Sequence, residues 1–321
     1  MEVQKMSLNI NDFSMDFFSL KGKNAIVTGG NSGLGQAFAL ALAKAGANIF
    51  AFAFVDDDGT TKKLIEDCGV KYTFMQGDLT EDGMCDKVAE KCVETYGSID
   101  ILVNCAGICK IADVLDFGRA EWDPMIAINL TGAFDLSHAV AKYMIPQKSG
   151  KIINICSLFS FLGGLGSPAY AAMKAGLMGL TKAYADELGK YGISVNGIAP
   201  GYFQTAMTSG TGSANDEKYN KIKDHIPADR WGERQDLMGA TVFLASHASD
   251  YVNGTVLVVD GICRNISAVK LHTFYQIQLC LHCLGFSAHV SWNCQTLIPV
   301  VKSTCQYDTL IYGSTLLSTD I

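Results

Sequence analysis

Short runs rich in β-branched residues alternate with longer amphipathic stretches from Lys23 onward. This alternation is typical of βα units, in which each helix returns the chain to the same edge of a parallel sheet. Candidate strands are 24–28, 48–54, 71–76, 101–105, 151–156, 194–199 and 255–259, and candidate helices are 33–45, 81–96, 121–144, 169–190 and 235–245. The pattern therefore predicts an α/β fold, a doubly wound Rossmann-type parallel sheet in a three-layer sandwich.

The βα pattern defines one domain and leaves two flanking segments. Neither an internal repeat nor a low-complexity linker interrupts residues 19–264, so we assign them to a single domain after an N-terminal extension, 1–18. The character changes over 265–321, where no Asp, Glu, Lys or Arg occurs between Lys270 and Lys302 and neither a helical nor a strand period is evident. We expect a poorly ordered C-terminal appendage there and not a second domain.

The chain contains 11 cysteines, and their placement bears on metal binding and on redox compartment. Only one C-x-x-C occurs in the appendage and no second pair completes four ligands, so we predict no metal site there. The residues in question are Cys280, Cys283, Cys294, Cys305, His272, His282 and His289. Upstream, Cys105 and Cys156 stand singly in apolar runs, as buried reduced thiols do.

Charge and hydropathy exclude several classes of partner. The formal net charge is −7 and Lys and Arg form no cluster, whereas binding to nucleic acid requires neutralisation of phosphates. The first residues, 1–20, lack the basic end and apolar stretch of an export signal, and the polar residues in the appendage are too frequent for a membrane span. We therefore expect a cytoplasmic protein that binds a small molecule, with no nucleic acid and no membrane partner.

A glycine-rich turn links the first strand to the first helix. Gly29 permits a tight turn, Gly33 lets the backbone approach a pyrophosphate, and Gly35 allows close packing of helix on sheet. The helix N-terminus then offers free N–H groups to phosphates. The predicted cofactor contacts of this turn are Gly29, Asn31, Ser32, Gly33, Leu34 and Gly35.

A tyrosine and a lysine stand four residues apart in an alanine-rich helical stretch. Tyr170 and Lys174 therefore share one helix face, where an ammonium group would lower the pKa of the phenol and make it a general acid or base. Ser157, at the end of the fifth strand, would hydrogen-bond the substrate oxygen. A Tyr-x-x-x-Lys pair alone is common by chance, so its weight comes from the dinucleotide loop and Ser157 upstream.

These motifs together resemble the short-chain dehydrogenase/reductase family, whose glycine turn has the form Thr-Gly-x-x-x-Gly-x-Gly. The resemblance implies hydride transfer with NAD or NADP, catalysis by Ser157, Tyr170 and Lys174, and a helical Asn129 whose backbone binds a proton-relaying water. Cys105 departs from the family's Asn-Asn-Ala-Gly sequence. Further cofactor contacts implied by the resemblance are Asp78, Leu79, Asn104, Ala106, Gly107, Tyr170, Lys174, Pro200, Gly201, Phe203 and Thr205.

Two segments, 226–232 and 248–254, are similar to the branch of the family that contains gluconate 5-dehydrogenase and 2-dehydro-3-deoxy-gluconate 5-dehydrogenase. A sugar acid needs a cation for its carboxylate, and Lys110 is placed to provide one; the alternative is a solvent-exposed loop lysine without this role. The acidic run Asp56, Asp57 and Asp58 favours NAD over NADP. The family implies a homo-oligomer, tetramer or dimer. Alternatives are a 3-oxoacyl-carrier-protein reductase or a non-catalytic cofactor-binding regulator.

Overall fold

Seven parallel strands form one sheet in the order β3-β2-β1-β4-β5-β6-β7 in the computed structural model, which describes residues 14–164, 166–205 and 217–261. The chain starts near the middle of the sheet and winds outward in both directions, which is the doubly wound topology that the sequence predicts. The strands are β1 Asn24–Thr28, β2 Asn48–Ala53, β3 Tyr72–Gln76, β4 Ile101–Asn104, β5 Gly150–Ile155, β6 Ile193–Pro200 and β7 Val256–Val259.

Helices cover both faces of the sheet. One face packs against α1 and α8, and the other against α3, α5 and α6. The α-helices are α1 Gly33–Lys44, α2 Thr60–Glu66, α3 Met84–Tyr96, α4 Arg119–Ile126, α5 Gly132–Gln147, α6 Pro168–Leu188, α7 Glu217–Lys223 and α8 Met238–Ala245. The three layers agree with the predicted sandwich.

The central strands are apolar on both sides because both sides are buried. In β1, Ile26 packs into the cluster under α3 and α5, while its neighbours Ala25 and Val27 pack into the cluster under α1 and α8. Such strands read as continuous apolar runs, without the polar alternation of a half-exposed sheet. The predicted strand ends accordingly fall within one residue of the observed ones.

The helical predictions differ from the structure in several places. The segment predicted as one helix over 121–144 is α4 and α5 separated by a π-helical turn, Ala127–Thr131. The helix predicted from residue 81 begins at Met84, after the left-handed Gly83. Two short helices, α2 and α7, were not predicted, because their many charged and polar residues obscure any apolar period.

All described residues belong to one compact unit. Within the described part of the predicted extension, a 3₁₀ turn, Met15–Phe18, precedes the first strand. The predicted boundary at residue 264, the appendage 265–321 and its cysteines and histidines lie outside the described residues. Across residues 14–164, 166–205 and 217–261, no helix is both long and apolar enough to cross a membrane.

Candidate active site

The glycine turn after β1 brings the N-terminus of α1 against the sheet. A side chain at Gly35 would overlap the backbone of Gly29, so the helix can approach this closely only with glycine there. Ser32 is the N-cap residue, yet its hydroxyl makes no capping hydrogen bond. The first turn of α1 therefore keeps backbone N–H groups that are free to bind an anion.

Asn31 ties this turn to the loop that follows β2. Its Nδ2 donates to the carbonyl oxygens of Val55 at 2.7 Å and Asp56 at 3.2 Å. Its own carbonyl accepts a 2.9 Å hydrogen bond from the hydroxyl of Thr61 in α2. Predicted as a cofactor contact, Asn31 thus uses its side chain to fix the shape of the loop around the cofactor cleft.

Thr28 holds the loop after β4 beside the glycine turn. The backbone N–H groups of Cys105 and Ala106 both donate to its Oγ1 at 2.9 Å. The Cys105 substitution leaves this arrangement intact because only its backbone takes part. Sequence analysis missed Thr28, although its position as the last residue of β1 before the turn was the available signal.

Asn129 clamps the same loop from the π-helical turn. Its Oδ1 accepts from the N–H of Ile108 and its Nδ2 donates to the carbonyl of Ile108, both at 2.9 Å. A side chain at Gly107 would overlap Asn129. The side chain of this 2% exposed residue therefore positions the loop, while the predicted role of its backbone stays a prediction.

Asn104 lies at the end of β4 with its side chain turned into the core. Its Nδ2 donates at 2.9 Å to Ser137 Oγ and to Asn154 Oδ1. Asn154 in turn donates to Thr181 Oγ1 at 3.0 Å. This buried network joins β4 and β5 to α5 and α6, so the side chain of Asn104 faces away from the cleft that it was predicted to line.

The remaining predicted cofactor residues also lie at the carboxyl ends of strands. Asp78 accepts hydrogen bonds from the N–H and hydroxyl of Thr80, which shape the turn after β3, and Leu79 is buried beside it. Pro200 ends β6, and the N–H of Gly201 donates to the carbonyl of Val259 at 2.9 Å. Ala106, Phe203 and Thr205 are likewise in strand-end loops at this edge.

Ser157, Tyr170 and Lys174 come together next to these loops. Ser157 caps a 3₁₀ turn, Leu158–Ser160, directly after β5, and its Oγ accepts the N–H of Phe159 at 3.2 Å. The Phe159 ring meets the Tyr170 ring edge to face, with centroids 5.9 Å apart. Lys174 Nζ lies 5.7 Å from the centroid of the Tyr170 ring, as the four-residue spacing predicts.

Lys174 is 5% exposed, and its ammonium donates to the carbonyl of Ile155 at 2.5 Å. Within the described part of the chain it forms no ion pair with a carboxylate. Burial lowers its pKa because the charged form loses hydration. A buried lysine without a counter-ion is more typical of a functional site than of a stabilising one.

The pKa of Tyr170 corrects one expectation. Burial raises the pKa of the phenol, Cys109 acts in the same direction, and the hydrogen bond with Ser157 only partly opposes them. The sequence argument expected Lys174 to lower this pKa. In the protein without cofactor, desolvation of the buried phenolate dominates, and Lys174 is not among the groups that shift this pKa.

Lys110, the predicted substrate cation, has an exposed side chain on the loop after β4. Its carbonyl accepts from Ser167 Oγ at 2.7 Å, which joins the loop to the start of α6. Among residues 14–164, 166–205 and 217–261, no group of three or more His, Cys, Asp or Glu could hold a metal ion.

Comparison with known proteins gives a consistent result. A family model described as enoyl-(acyl carrier protein) reductase matches residues 29–261. The chain is 67% identical to the uncharacterized oxidoreductase YgcW of Escherichia coli K12 over 253 residues, which cover 79% of this chain and 97% of that protein. It is 44% identical to the 2-dehydro-3-deoxy-D-gluconate 5-dehydrogenase of the same organism over 245 residues, 76% of this chain and 96% of the relative.

Solved structures agree with these relatives. A gluconate 5-dehydrogenase from Burkholderia cenocepacia, in complex with NADP and tartrate, is 37% identical and superposes with a TM-score of 0.74. The match covers 78% of this chain and 98% of that structure.

Proposed function

The chain belongs to the short-chain dehydrogenase/reductase family of NAD(P)-dependent oxidoreductases, and we propose that it interconverts a secondary alcohol and a ketone on a sugar acid. The observation that carries the proposal is Lys174, which is buried beside Tyr170 and the loop after β4 and has no carboxylate partner among the described residues. The relatives named for gluconate-type substrates support the choice of sugar acid.

In this mechanism Tyr170 exchanges the proton. It donates its phenolic proton to the carbonyl oxygen during reduction and removes the hydroxyl proton during oxidation. The Ser157 hydroxyl accepts the Phe159 N–H and also hydrogen-bonds Tyr170, so its proton would turn to the substrate oxygen when substrate binds. Lys174 supplies positive charge that favours phenolate when Tyr170 has given up its proton.

The cleft fits a dinucleotide. The N-terminus of α1 has no side-chain cap, and Gly35 lets the helix lie close to the glycine turn, so a pyrophosphate fits there. The loops that follow β4 and β6 would flank the nicotinamide. When bound, the nicotinamide supplies or accepts the hydride. Lys174 and Tyr170 would then also contact its ribose.

For the choice between the two cofactors, we propose a preference for NAD that depends on Asp56. Asp57 accepts from the Tyr72 hydroxyl at 3.0 Å and Asp58 accepts the Thr60 N–H at 2.9 Å, so both carboxylates hold the loop. Among the described residues, Asp56 accepts only the N–H of its neighbour Asp57, at 2.9 Å, and is exposed beside the glycine turn, where its charge would repel a 2′-phosphate. The NADP in the Burkholderia enzyme weighs against this preference.

The test measures kcat/KM with NADP and NAD for Asp56→Ser. We expect the NADP-to-NAD ratio to rise about tenfold, as the loss of one repulsive contact allows. Asp58→Asn is the matched control, since it removes a charge from the same loop but keeps an acceptor for the Thr60 N–H. An equal shift in both variants would mean that general charge, and not Asp56, governs the choice.

Substrate class is tested by a screen of keto sugar acids, keto sugars and acetoacetyl thioesters with both cofactors, followed by nicotinamide absorbance. We expect the fastest reduction with a keto sugar acid. Preference for the thioesters would support the carrier-protein reductase alternative. Binding of NADH without oxidation by any carbonyl compound would support a regulatory role.

We also propose that Lys110 binds the substrate carboxylate from the loop that Ser167 and Asn129 fix. Lys110→Gln should raise KM for the keto sugar acid about tenfold, consistent with the loss of one charge-assisted contact, and leave kcat nearly unchanged. A keto sugar without a carboxylate serves as the control substrate. Equal effects on both substrates would contradict the proposed pairing.

Assembly and compartment complete the proposal: a homo-oligomer, tetramer or dimer, in the cytoplasm. Phe134 on α5 is 45% exposed and stacks on Tyr184 of α6 with centroids 6.2 Å apart, which provides an apolar face for a second copy. The cysteines within the described residues are all free thiols, which favours a reducing compartment. Light scattering of the purified chain tests the oligomer.

A further inference from the structure

Ser160 lies three residues after Ser157 and is the last residue of the 3₁₀ turn that follows β5. Its Oγ accepts the backbone N–H of Ser157 at 3.2 Å and donates to the backbone carbonyl of Lys174 at 2.8 Å. One 6% exposed hydroxyl thus bridges the backbones of two candidate catalytic residues that are far apart in sequence.

The donor and the acceptor are defined in both hydrogen bonds of this bridge. A hydroxyl has one proton, and Ser160 gives it to the Lys174 carbonyl, so the oxygen lone pairs remain for the Ser157 N–H. The carbonyl of Lys174 is part of α6, where it also accepts the backbone N–H four residues further along the helix. Alanine at this position would therefore free the strand-end turn from the helix without removing any atom that touches substrate.

We propose that Ser160 is a positioning residue that fixes the distance between Ser157 and the Tyr170–Lys174 face of α6. The proposal rests on the function proposed above, because it assigns the reaction to those three groups. The bridge acts through backbone atoms, so it would serve any carbonyl substrate that the enzyme reduces. A small displacement of reacting groups lowers rates strongly while binding groups elsewhere remain in place.

Ser249 provides a matched control at the other edge of the sheet. It is fully buried, and its Oγ contacts the carbonyls of Leu244 and Ser246 at 3.1 Å. Ser249→Ala removes the same atoms and comparable hydrogen bonds as Ser160→Ala, but at the opposite ends of the strands from the cleft. The two variants should lose similar thermal stability, and only one should lose turnover.

The experiment compares wild type, Ser160→Ala, Ser160→Thr and Ser249→Ala on the best ketone from the screen. For Ser160→Ala we expect kcat to fall about tenfold with KM and cofactor Kd within about twofold, as positioning effects predict. Ser160→Thr keeps the hydroxyl and should recover most of kcat. Ser249→Ala should match wild type in kcat.

Hydrogen–deuterium exchange gives a second readout that does not depend on turnover. The Ser157 N–H donates to Ser160, so its peptide should exchange faster in Ser160→Ala and at the wild-type rate in Ser249→Ala. Unchanged kcat in Ser160→Ala, or an equal loss in Ser249→Ala, would overturn the proposal. If the wild-type protein reduces no ketone, the proposed function fails, and the hydrogen–deuterium exchange result alone decides on the bridge. Unchanged exchange of the Ser157 peptide in Ser160→Ala would overturn the bridge, and faster exchange would support it.

Discussion

A mostly buried lysine lies at each end of β5, and the two lysines have different partners. At the amino end, Lys151 is 13% exposed at its side chain and pairs with Asp250 at 2.9 Å. At the carboxyl end, Lys174 reaches the carbonyl of Ile155, the last residue of the strand, and has no carboxylate within the described residues. The lysine at the amino edge of the sheet has an opposite charge beside it, whereas the lysine at the carboxyl edge has none among the described residues.

This difference separates stability from chemistry at the two ends of one strand. A paired lysine adds modestly to folding, whereas the unpaired and buried Lys174 costs stability and has a lowered pKa. The loss is tolerable only where the ammonium serves another purpose. The contrast therefore supports the proposal that the reaction takes place at the carboxyl edge of the sheet.

The largest expected effect comes from the phenol that shares the Lys174 edge. Tyr170→Phe keeps the ring against Phe159 but removes the transferable proton, so we expect kcat to fall by about two orders of magnitude or more. Cofactor affinity, measured by NADH fluorescence titration, should be nearly unchanged. Near-normal turnover would remove Tyr170 from the mechanism.

A comparison of Lys174→Ala with Lys151→Ala addresses the contrast directly. Lys174→Ala should lower kcat by about tenfold or more and also weaken cofactor binding, since the ammonium would contact the nicotinamide ribose. Lys151→Ala should leave kcat unchanged and lower the free energy of unfolding by about 1 kcal/mol, as for a partly exposed ion pair. Loss of chemistry alone in Lys174→Ala would contradict its role in cofactor binding.

The pH dependence should differ between the two reaction directions. Burial raises the pKa of Tyr170, so the protonated form needed for reduction persists through neutral pH. Oxidation needs the deprotonated form, and its kcat/KM should rise with pH over the range of about 7 to 10. Profiles measured in both directions test this; a flat oxidation profile would indicate another base.

The smallest effect is expected from truncation. Both ends of β5, the full described sheet and the candidate site lie before residue 262, so a chain ended after Arg264 should retain kcat and KM. Steady-state kinetics and light scattering on the two chains check this. A truncated protein that folds but loses turnover would place the active site partly in 265–321 and move the predicted domain boundary.

The strands, the glycine turn and the Tyr170–Lys174 pair were accessible from sequence because each depends on local pattern. Strands buried on both faces give unbroken apolar runs, and four-residue spacing in a helix fixes a shared face. The π-helical turn at Ala127–Thr131 was not accessible, because it depends on Asn129 meeting the loop at Ile108. Nothing in the local residues distinguishes it from a continuous helix.

The same limit applies to Asn104, Thr28 and Ser160. Each hydrogen-bonds backbone or side-chain groups that the fold brings together from distant parts of the chain. A serine three residues after another is a common local capping pattern, so sequence alone does not reveal that Ser160 also reaches α6.

The buried thiols of α3 can be used to measure how often this helix separates from the sheet. Burial raises the pKa of Cys85 and of Cys92 to about 12 in each case, so almost no thiolate exists at neutral pH while the helix stays packed. The thiolate is the form that attacks an alkylating reagent, so these two sulfurs become reactive only when α3 separates from the sheet. The rate of their labelling by iodoacetamide, followed by mass spectrometry, would therefore measure local unfolding in the native protein without an introduced cysteine.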